Sequence, residues 1–246
     1  MFSKSQIKFI KSLSLKKNRY QKGMFVAEGR KGVEELLKSG YKVHSLYTTD
    51  EPIPGAEGNF YRIGENDLKK RSNLNTPQDV LAVFEIPESV KPTYNGLLVG
   101  LDQVQDPGNL GTIIRLCDWF GVEHLVCSQG TVDCYNPKVV QATMGSLARV
   151  QVYYTSLEDF LANRPEDFPV FGAFLEGAKV YETDLPEAGI LVMGNEANGI
   201  SPAIEKLIPQ KLHIPRFGAD GAESLNVATA TAVLLSEFRR RSLIGR

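Results

Sequence analysis

Six short, nearly continuous apolar runs after residue 96 limit what this chain can fold into. They are LLVGL (97–101), HLVCS (124–128), VQVYY (150–154), VFGAF (170–174), ILVMG (190–194) and KLHI (211–214). Runs this short, with little polar alternation, read as strands buried on both faces. Helix-like stretches separate them. In 109–120, Ile113, Ile114, Leu116, Cys117 and Phe120 fall on one stripe, with Gly121 placed to cap the end. Strands alternating with helices predict an α/β fold, a mainly parallel sheet with helices on both faces. In such sheets a ligand lies beyond the carboxyl ends of the strands, so the loops there should carry the chemistry.

The chain before this region is patterned differently. Ile7, Ile10, Leu13 and Leu15 keep a helical period with lysines between them, and MFVAEG (24–29), VHSLYTT (43–49), FYRI (60–63) and DVLAVFEI (79–86) read as strands. The segment IPESVKPTYNG (86–96), with two prolines and a glycine, is the best linker candidate. The expected organisation is a smaller α/β domain at 1–90, a linker at 91–96 and a larger domain at 97–246.

Net charge is −1 but unevenly spread: residues 1–31 carry nine Lys or Arg against Glu28, leaving −9 for the rest. A basic end on a near-neutral chain fits a polyanion bound through phosphate contacts, or simply a solvated lysine-rich helix face. Tyr20 and Phe25 flank the basic stretch and fit either base stacking or a core.

Other classes find no support. No window holds 18 consecutive apolar residues, and MFSKSQIKFIKSLSLKK has no apolar signal core, so the expectation is a cytoplasmic protein without membrane spans. Cys117, Cys127 and Cys134 fit no zinc spacing and read as buried small hydrophobes. His124 and His213 lack a partner at metal-ligand spacing, so no metal is expected. The glycine-rich dinucleotide and P-loop signatures are absent, as are HExxH and GxSxG.

Three loops remain. In LDQVQDPGNLGTIIRL (101–116), Asp106-Pro107-Gly108 makes a turn, Asn109 can cap the next helix, and Arg115 lies in that helix with Trp119 one turn on. A guanidinium near a helix N-terminus suits phosphate or carboxylate, though an ordinary turn and a surface arginine would look the same. In ILVMGNEANGIS (190–201) a buried strand runs into a glycine-bounded loop holding Glu196, a carboxylate for hydroxyls, an amine or an arginine. A plain strand-to-helix turn uses the same residues, with Pro202 at the first helical position. In HIPRFGADGAESLNVATATAVLLSEF (213–238) a glycine-rich loop leads through Ser224 and Asn226 into a helix with Ala228, Ala230 and Ala232. Ser224 is a candidate cap for that helix.

Together, N-x-G-x-x-x-R at Asn109–Arg115, G-N-E-x-x-G at Gly194–Gly199 and I-P…G…E-S-L-N-V at Ile214–Val227 resemble the three signature motifs of the SpoU/TrmH family of RNA 2′-O-ribose methyltransferases. NPKVVQATMGSLARV (136–150) is similar to that family's segment between its first two motifs. The likeness runs from Leu97 to the C-terminus, and the basic N-terminal domain resembles the small RNA-binding domain of many members. Arg216 stands where the family often has methionine, and GADGAES (218–224) is longer than its usual third motif.

The resemblance implies a C-terminal trefoil knot, S-adenosyl-L-methionine held largely by backbone, and a homodimer with active sites at the interface. It implies a catalytic set of Arg115, Asn109, Glu196, Ser224 and Asn226. Cofactor contacts fall on Thr143, Gly145, Met193, Gly194, Asn195, Ile214, Leu225, Asn226 and Ala228, and RNA contacts on Lys16, Lys17, Arg19, Lys22 and Arg30. The implied reaction transfers methyl from a sulfonium to a ribose 2′-hydroxyl of structured RNA, ribosomal or transfer RNA, with ribosomal RNA favoured. Neutralising an arginine at pH 7 costs roughly 7–9 kcal/mol, which favours a cationic clamp over a general base for Arg115. The alternative is a catalytically silent RNA-binding or ribosome-assembly protein that keeps the fold.

Overall fold

The computed structural model describes residues 4–51, 53–56, 60–69, 72, 78–218 and 223–244. The chain forms two compact units, Met1–Glu88 with Asp133–Arg149, and Ser89–Val132 with Val150–Arg246. In chain order the first unit begins with α1 (Lys4–Ser12), α2 (Lys16–Lys22), β1 (Met24–Glu28), α3 (Arg30–Lys38), β2 (Val43–Thr48), β3 (Phe60–Arg62), α4 (Glu65–Lys69) and β4 (Val80–Glu85). The second unit opens with β5 (Leu97–Leu101), α5 (Pro107–Trp119) and β6 (His124–Ser128); the chain then returns to the first unit for α6 (Pro137–Thr143). The second unit is completed by β7 (Gln151–Thr155), α7 (Leu157–Ala162), β8 (Val170–Lys179), β9 (Gly189–Met193), α8 (Pro202–Glu205), β10 (Gln210–His213) and α9 (Val227–Ile244).

The second unit is the α/β layer structure that the apolar runs predict. Its sheet has the order β10-β8-β9-β5-β6-β7, with every pairing parallel. Central β5 and β9 are buried along their whole length, whereas edge strand β7 is only half-buried. Successive strand residues face opposite sides. Val170 joins Leu98, Ile190 and Val192 in a cluster with Leu157, Phe160 and Leu161 of α7 and Ile204 of α8. Its neighbour Phe171 meets Phe238 of α9 edge-on at 5.2 Å. Helices therefore cover both faces. The sequence reading stops β8 at residue 174, but it continues to Lys179, with a register shift opposite Lys211/Leu212 that lets it pair along all of β10.

The first unit holds a sheet of order β1-β4-β2-β3, antiparallel except between β2 and β3. Its N-terminal helical pattern is two helices. Ile10 and Leu13 are buried as the period predicts, but Leu15 is 62% exposed because it is the extended N-cap residue of α2. Asp133–Arg149 packs with this unit through side-chain contacts that no local pattern foretells. Tyr135 lies 4.7 Å from Phe25, the Tyr41 hydroxyl donates to the Leu147 carbonyl, and Arg149 pairs with Glu35 at 2.5 Å. Burial raises the Tyr41 phenol to about 12.

Arg19 is corrected here as an RNA contact. It is 1% exposed and its guanidinium is consumed internally, with Nε and Nη2 on Asp133 Oδ2 at 3.0 and 2.5 Å and Nη1 on the Leu13 and Ser14 carbonyls. The Tyr20 hydroxyl also donates to Asp133 Oδ1 at 3.0 Å, so the aromatic that flanks the basic stretch is tied to the same carboxylate. The three cysteines are free and buried, and burial pushes the Cys117 thiol up. Among the described residues no helix is long and apolar enough to cross a membrane, and no cluster of His, Cys, Asp or Glu could hold a metal.

Asp133→Ala strands Arg19 in the interior without its carboxylate. It is expected to cost about 3–5 kcal/mol in urea unfolding followed by circular dichroism, and more than a paired Arg19→Met, Asp133→Leu replacement.

Candidate active site

The strands β5, β9 and β10 run parallel, so their carboxyl ends and the three loops that follow lie on one edge of the second unit's sheet. The loop after β5 begins at Asp102, 3% exposed, whose amide donates to the Met193 carbonyl and whose Oδ2 accepts from the Ser201 amide at 2.8 Å. One buried aspartate thus ties the start of the first loop to both ends of the second.

α5 is capped by Asp106, not by Asn109 as expected. Asp106 Oδ1 accepts from the Asn109 amide at 2.8 Å, and Pro107 takes the first helical position, where a missing N–H costs nothing. The Asp-Pro pair was a legible signal for this. Relieved of capping, the Asn109 side chain bridges the other two loops. Its Nδ2 donates to Glu196 Oε1 at 3.0 Å, and its Oδ1 accepts from Asn226 Nδ2 at 2.9 Å.

Glu196 is the hub. Besides Asn109 it accepts from the amides of Gln105 and Asp106 at 3.2 and 3.1 Å. Asn195 supports it from the same loop, donating to the Gln103 carbonyl at 2.7 Å and accepting from the Ala197 and Asn198 amides. Asn195 and Gly199 exchange two backbone hydrogen bonds at 2.9 Å, closing the loop on itself. This closure explains Gly194: a Cβ there would lie 2.2 Å from the Gly199 carbonyl carbon and 2.3 Å from the Ile200 nitrogen, against backbone that cannot yield.

In the third loop Asn226, and not Ser224, caps α9, its Oδ1 accepting from the Ala228 and Thr229 amides at 2.9 and 3.3 Å. Ser224 is exposed and makes no hydrogen bond to another described residue. Arg115 is exposed on α5 and pairs with no described residue; Trp119, one turn on, is 84% exposed.

The expected cofactor residues divide. Met193, Gly194, Asn195, Ile214, Leu225, Asn226 and Ala228 belong to the second unit, in its loops or at the adjoining ends of β9 and α9; Met193 is buried and its carbonyl already serves Asp102. Thr143 and Gly145 belong to the first unit, where the Thr143 hydroxyl donates to the Val140 carbonyl at 2.7 Å and Gly145 has φ +95°. S-adenosylmethionine fits the donor set of these loops. The backbone groups of 215–218 and 223–225 make no hydrogen bond to other described residues, while Phe217 (90%) and Leu225 offer exposed apolar surface between them. Polar backbone beside apolar side chains suits a ligand with a flat base and a charged tail.

The basic residues also divide. Lys16, Lys17 and Lys22 are exposed on α2, with Lys16 5.9 Å from the Tyr20 ring and Lys22 5.3 Å from the Phe9 ring. Arg30 lies among the carboxylates of Glu34, Asp50 and Asp79 at 3.9, 3.3 and 3.3 Å, which compete with any phosphate for it.

Burial pushes the Glu196 carboxyl up, but the hydrogen bonds from Asn109 and the backbone amides outweigh it and hold the group below the usual glutamate value. A depressed folded pKa contributes stability that is complete above the unfolded value and is lost as pH falls through the folded one. Glu196→Gln is therefore expected to melt below wild type at pH 7, the gap closing below about pH 4 in a pH series of thermal melts.

Residues 96–236 match the SpoU rRNA Methylase family model, and residues 4–82 match the MRM3-like substrate binding domain. The 23S rRNA (guanosine(2553)-2′-O)-methyltransferase of Bacillus subtilis is 35% identical over 240 residues, covering 95% of this chain and 96% of its own. A TrmH-family protein of Porphyromonas gingivalis superposes with a TM-score of 0.88 at 44% identity, over 98% of this chain and 99% of its own. An AdoMet-bound rRNA methyltransferase of Sinorhizobium meliloti gives 0.85 at 30% identity, over 98% and 97%. With its three motif loops joined through Asn109, Glu196 and Asn226, the chain belongs to the SpoU rRNA methylase family.

Proposed function

We propose that this protein transfers a methyl group from S-adenosylmethionine to a ribose 2′-hydroxyl of structured ribosomal RNA. The observation that carries the reading is the Asn226–Asn109–Glu196 chain of hydrogen bonds, which gathers the three family motifs at one edge of the parallel sheet. The same intact network argues against a catalytically silent protein that merely keeps the fold. Ribosomal RNA is preferred over transfer RNA because the Bacillus subtilis relative is named for 23S rRNA and spans nearly the whole chain.

When bound, the cofactor would supply an electrophilic methyl on a sulfonium, whose sulfur departs as a neutral thioether and needs no acid. What remains for the protein is alignment and the fate of the hydroxyl proton. Loop residues 193–196, 214–216 and 225–228 hold the donor through backbone groups. Arg115, a permanent cation, grips the phosphate next to the target ribose and stabilises the alkoxide as its proton leaves for that phosphate. Asn109 keeps the N-terminal turn of α5 fixed to the donor loops, and Ser224, exposed in the third loop, is open to the RNA. The exposed Trp119 on the same helix supports a homodimer with the active sites at the interface. A knotted C-terminal segment, a cytoplasmic location and a division of labour between an RNA-capturing domain at 1–90 and a catalytic domain at 97–246 complete the proposal.

Mapping 2′-O-methylation across total RNA of a deletion strain tests the whole reading; a map unchanged from wild type at every ribosomal position refutes it. Arg115→Ala is expected to abolish methyl transfer while S-adenosylmethionine binding by calorimetry stays at wild-type affinity. Replacing Lys16, Lys17 and Lys22 with glutamine should weaken RNA binding irrespective of sequence. The slope of log K against log salt should drop by about 2–3, with cofactor affinity unaffected.

A further inference from the structure

Because no described residue holds the Arg115 guanidinium, its position is set by the helix that carries it. One end of α5 is held by α9, through the bond from Asn226 to Asn109. α9 also reaches the other end. Arg239 Nε donates to the Phe120 carbonyl at 2.7 Å, and its Nη2 donates to the Gly121 carbonyl at 2.9 Å. These carbonyls lie just past Trp119, where a helix runs out of intrahelical donors and where α5 has no basic residue of its own in the last turn. A guanidinium suits the place twice: its planar fork spans adjacent carbonyls, and its charge meets the negative end of the helix.

The two fixed points bracket Arg115. It lies six residues, about 9 Å, beyond Asn109 and five residues, about 7.5 Å, before Phe120. Buried Leu110, Ile113, Ile114 and Cys117 seat one face of α5 in the core, and the contacts from Asn226 and Arg239 pin its two ends, so the exposed face that carries Arg115 is set in rotation and along the axis.

We propose that Arg239 is a positioning residue for methyl transfer, fixing the far end of α5 through the Phe120 and Gly121 carbonyls and so aiming Arg115. The inference rests on the role of Arg115 given above. Lysine at 239 would be a partial substitute, because a single ammonium on a flexible stem does not reproduce a two-carbonyl fork.

The test compares full-length wild type, Arg239→Ala and Arg239→Lys, using labelled S-adenosylmethionine and total ribosomal RNA from a deletion strain as methyl acceptor. In Arg239→Ala, kcat is expected to fall on the order of 100-fold, the scale of loss when a catalytic group is misplaced by about 1 Å. KM for RNA and the calorimetric Kd for the cofactor should stay within about twofold of wild type, and lysine should recover part of kcat. A folded Arg239→Ala protein with near-wild-type kcat overturns the inference. So does a parallel loss of kcat and cofactor affinity, which marks mere structural support. If the alanine variant does not fold, the lysine variant decides: lower kcat with unchanged binding supports positioning, and wild-type kcat overturns it. Wild-type turnover on the same RNA separates failure of this inference from failure of the activity, and a wild type that transfers no methyl refutes both.

Discussion

The carboxylate of Glu196 is where the motif loops of the second unit are joined. It takes up the Gln105 and Asp106 amides at the entry to α5 and the Asn109 side chain in its first turn, and through Asn109 it is linked to Asn226 at the start of α9. Hydrogen bonds to a charged acceptor are worth about 1.5–3 kcal/mol each where water is excluded, and less at a partly exposed group like this one. Their larger consequence is geometric. A carboxylate is an acceptor without donors, so each partner must present an N–H or O–H; the stretch 105–109 does so directly, and Asn226 is brought into register by donating to Asn109.

The glycine and asparagine spacing of the second motif follows from the same constraint. Glu196 reaches α5 only because its loop folds back on itself, with Asn195 and Gly199 exchanging backbone hydrogen bonds over a residue with no room for a Cβ. Gly194 is thus a packing requirement first, whatever else its backbone touches. Asp102 performs the matching task beneath the loop, joining the ends of β5 and β9 to the start of the next segment at Ser201.

The first unit shows a different use of charge. The Arg19–Asp133 pair is buried, and desolvating both ions leaves little net stability. What it does supply is specificity of attachment: a segment that follows β6 by only a few residues is committed to the N-terminal sheet by an arginine more than a hundred positions earlier. The basic surface of α2 is correspondingly narrower than the count of charges implied, because one of its cations faces inward.

The sequence by itself determined the parallel strands of the second unit, the helix α5 and the order of the motifs, though not the full length of β8 or the break between α1 and α2. The limits of β5 and β6 can be read directly from their apolar runs, because a strand buried on both faces tolerates no polar interruption, and the stripe in 109–120 marks α5 because a helix buries one face at a fixed period. The same local view assigned the α5 cap to Asn109, the α9 cap to Ser224 and a phosphate to Arg19. Each was a residue of suitable chemistry in a suitable place. Tertiary structure decided otherwise, since a side chain's partner is chosen by what lies opposite it in space: Asp106 and Asn226 took the caps, which freed Asn109 to bridge to Glu196, and Asp133 claimed Arg19. Period and composition are properties of neighbours along the chain, whereas a hydrogen bond across 117 residues, such as Asn226 to Asn109, exists only once the sheet has aligned its carboxyl ends.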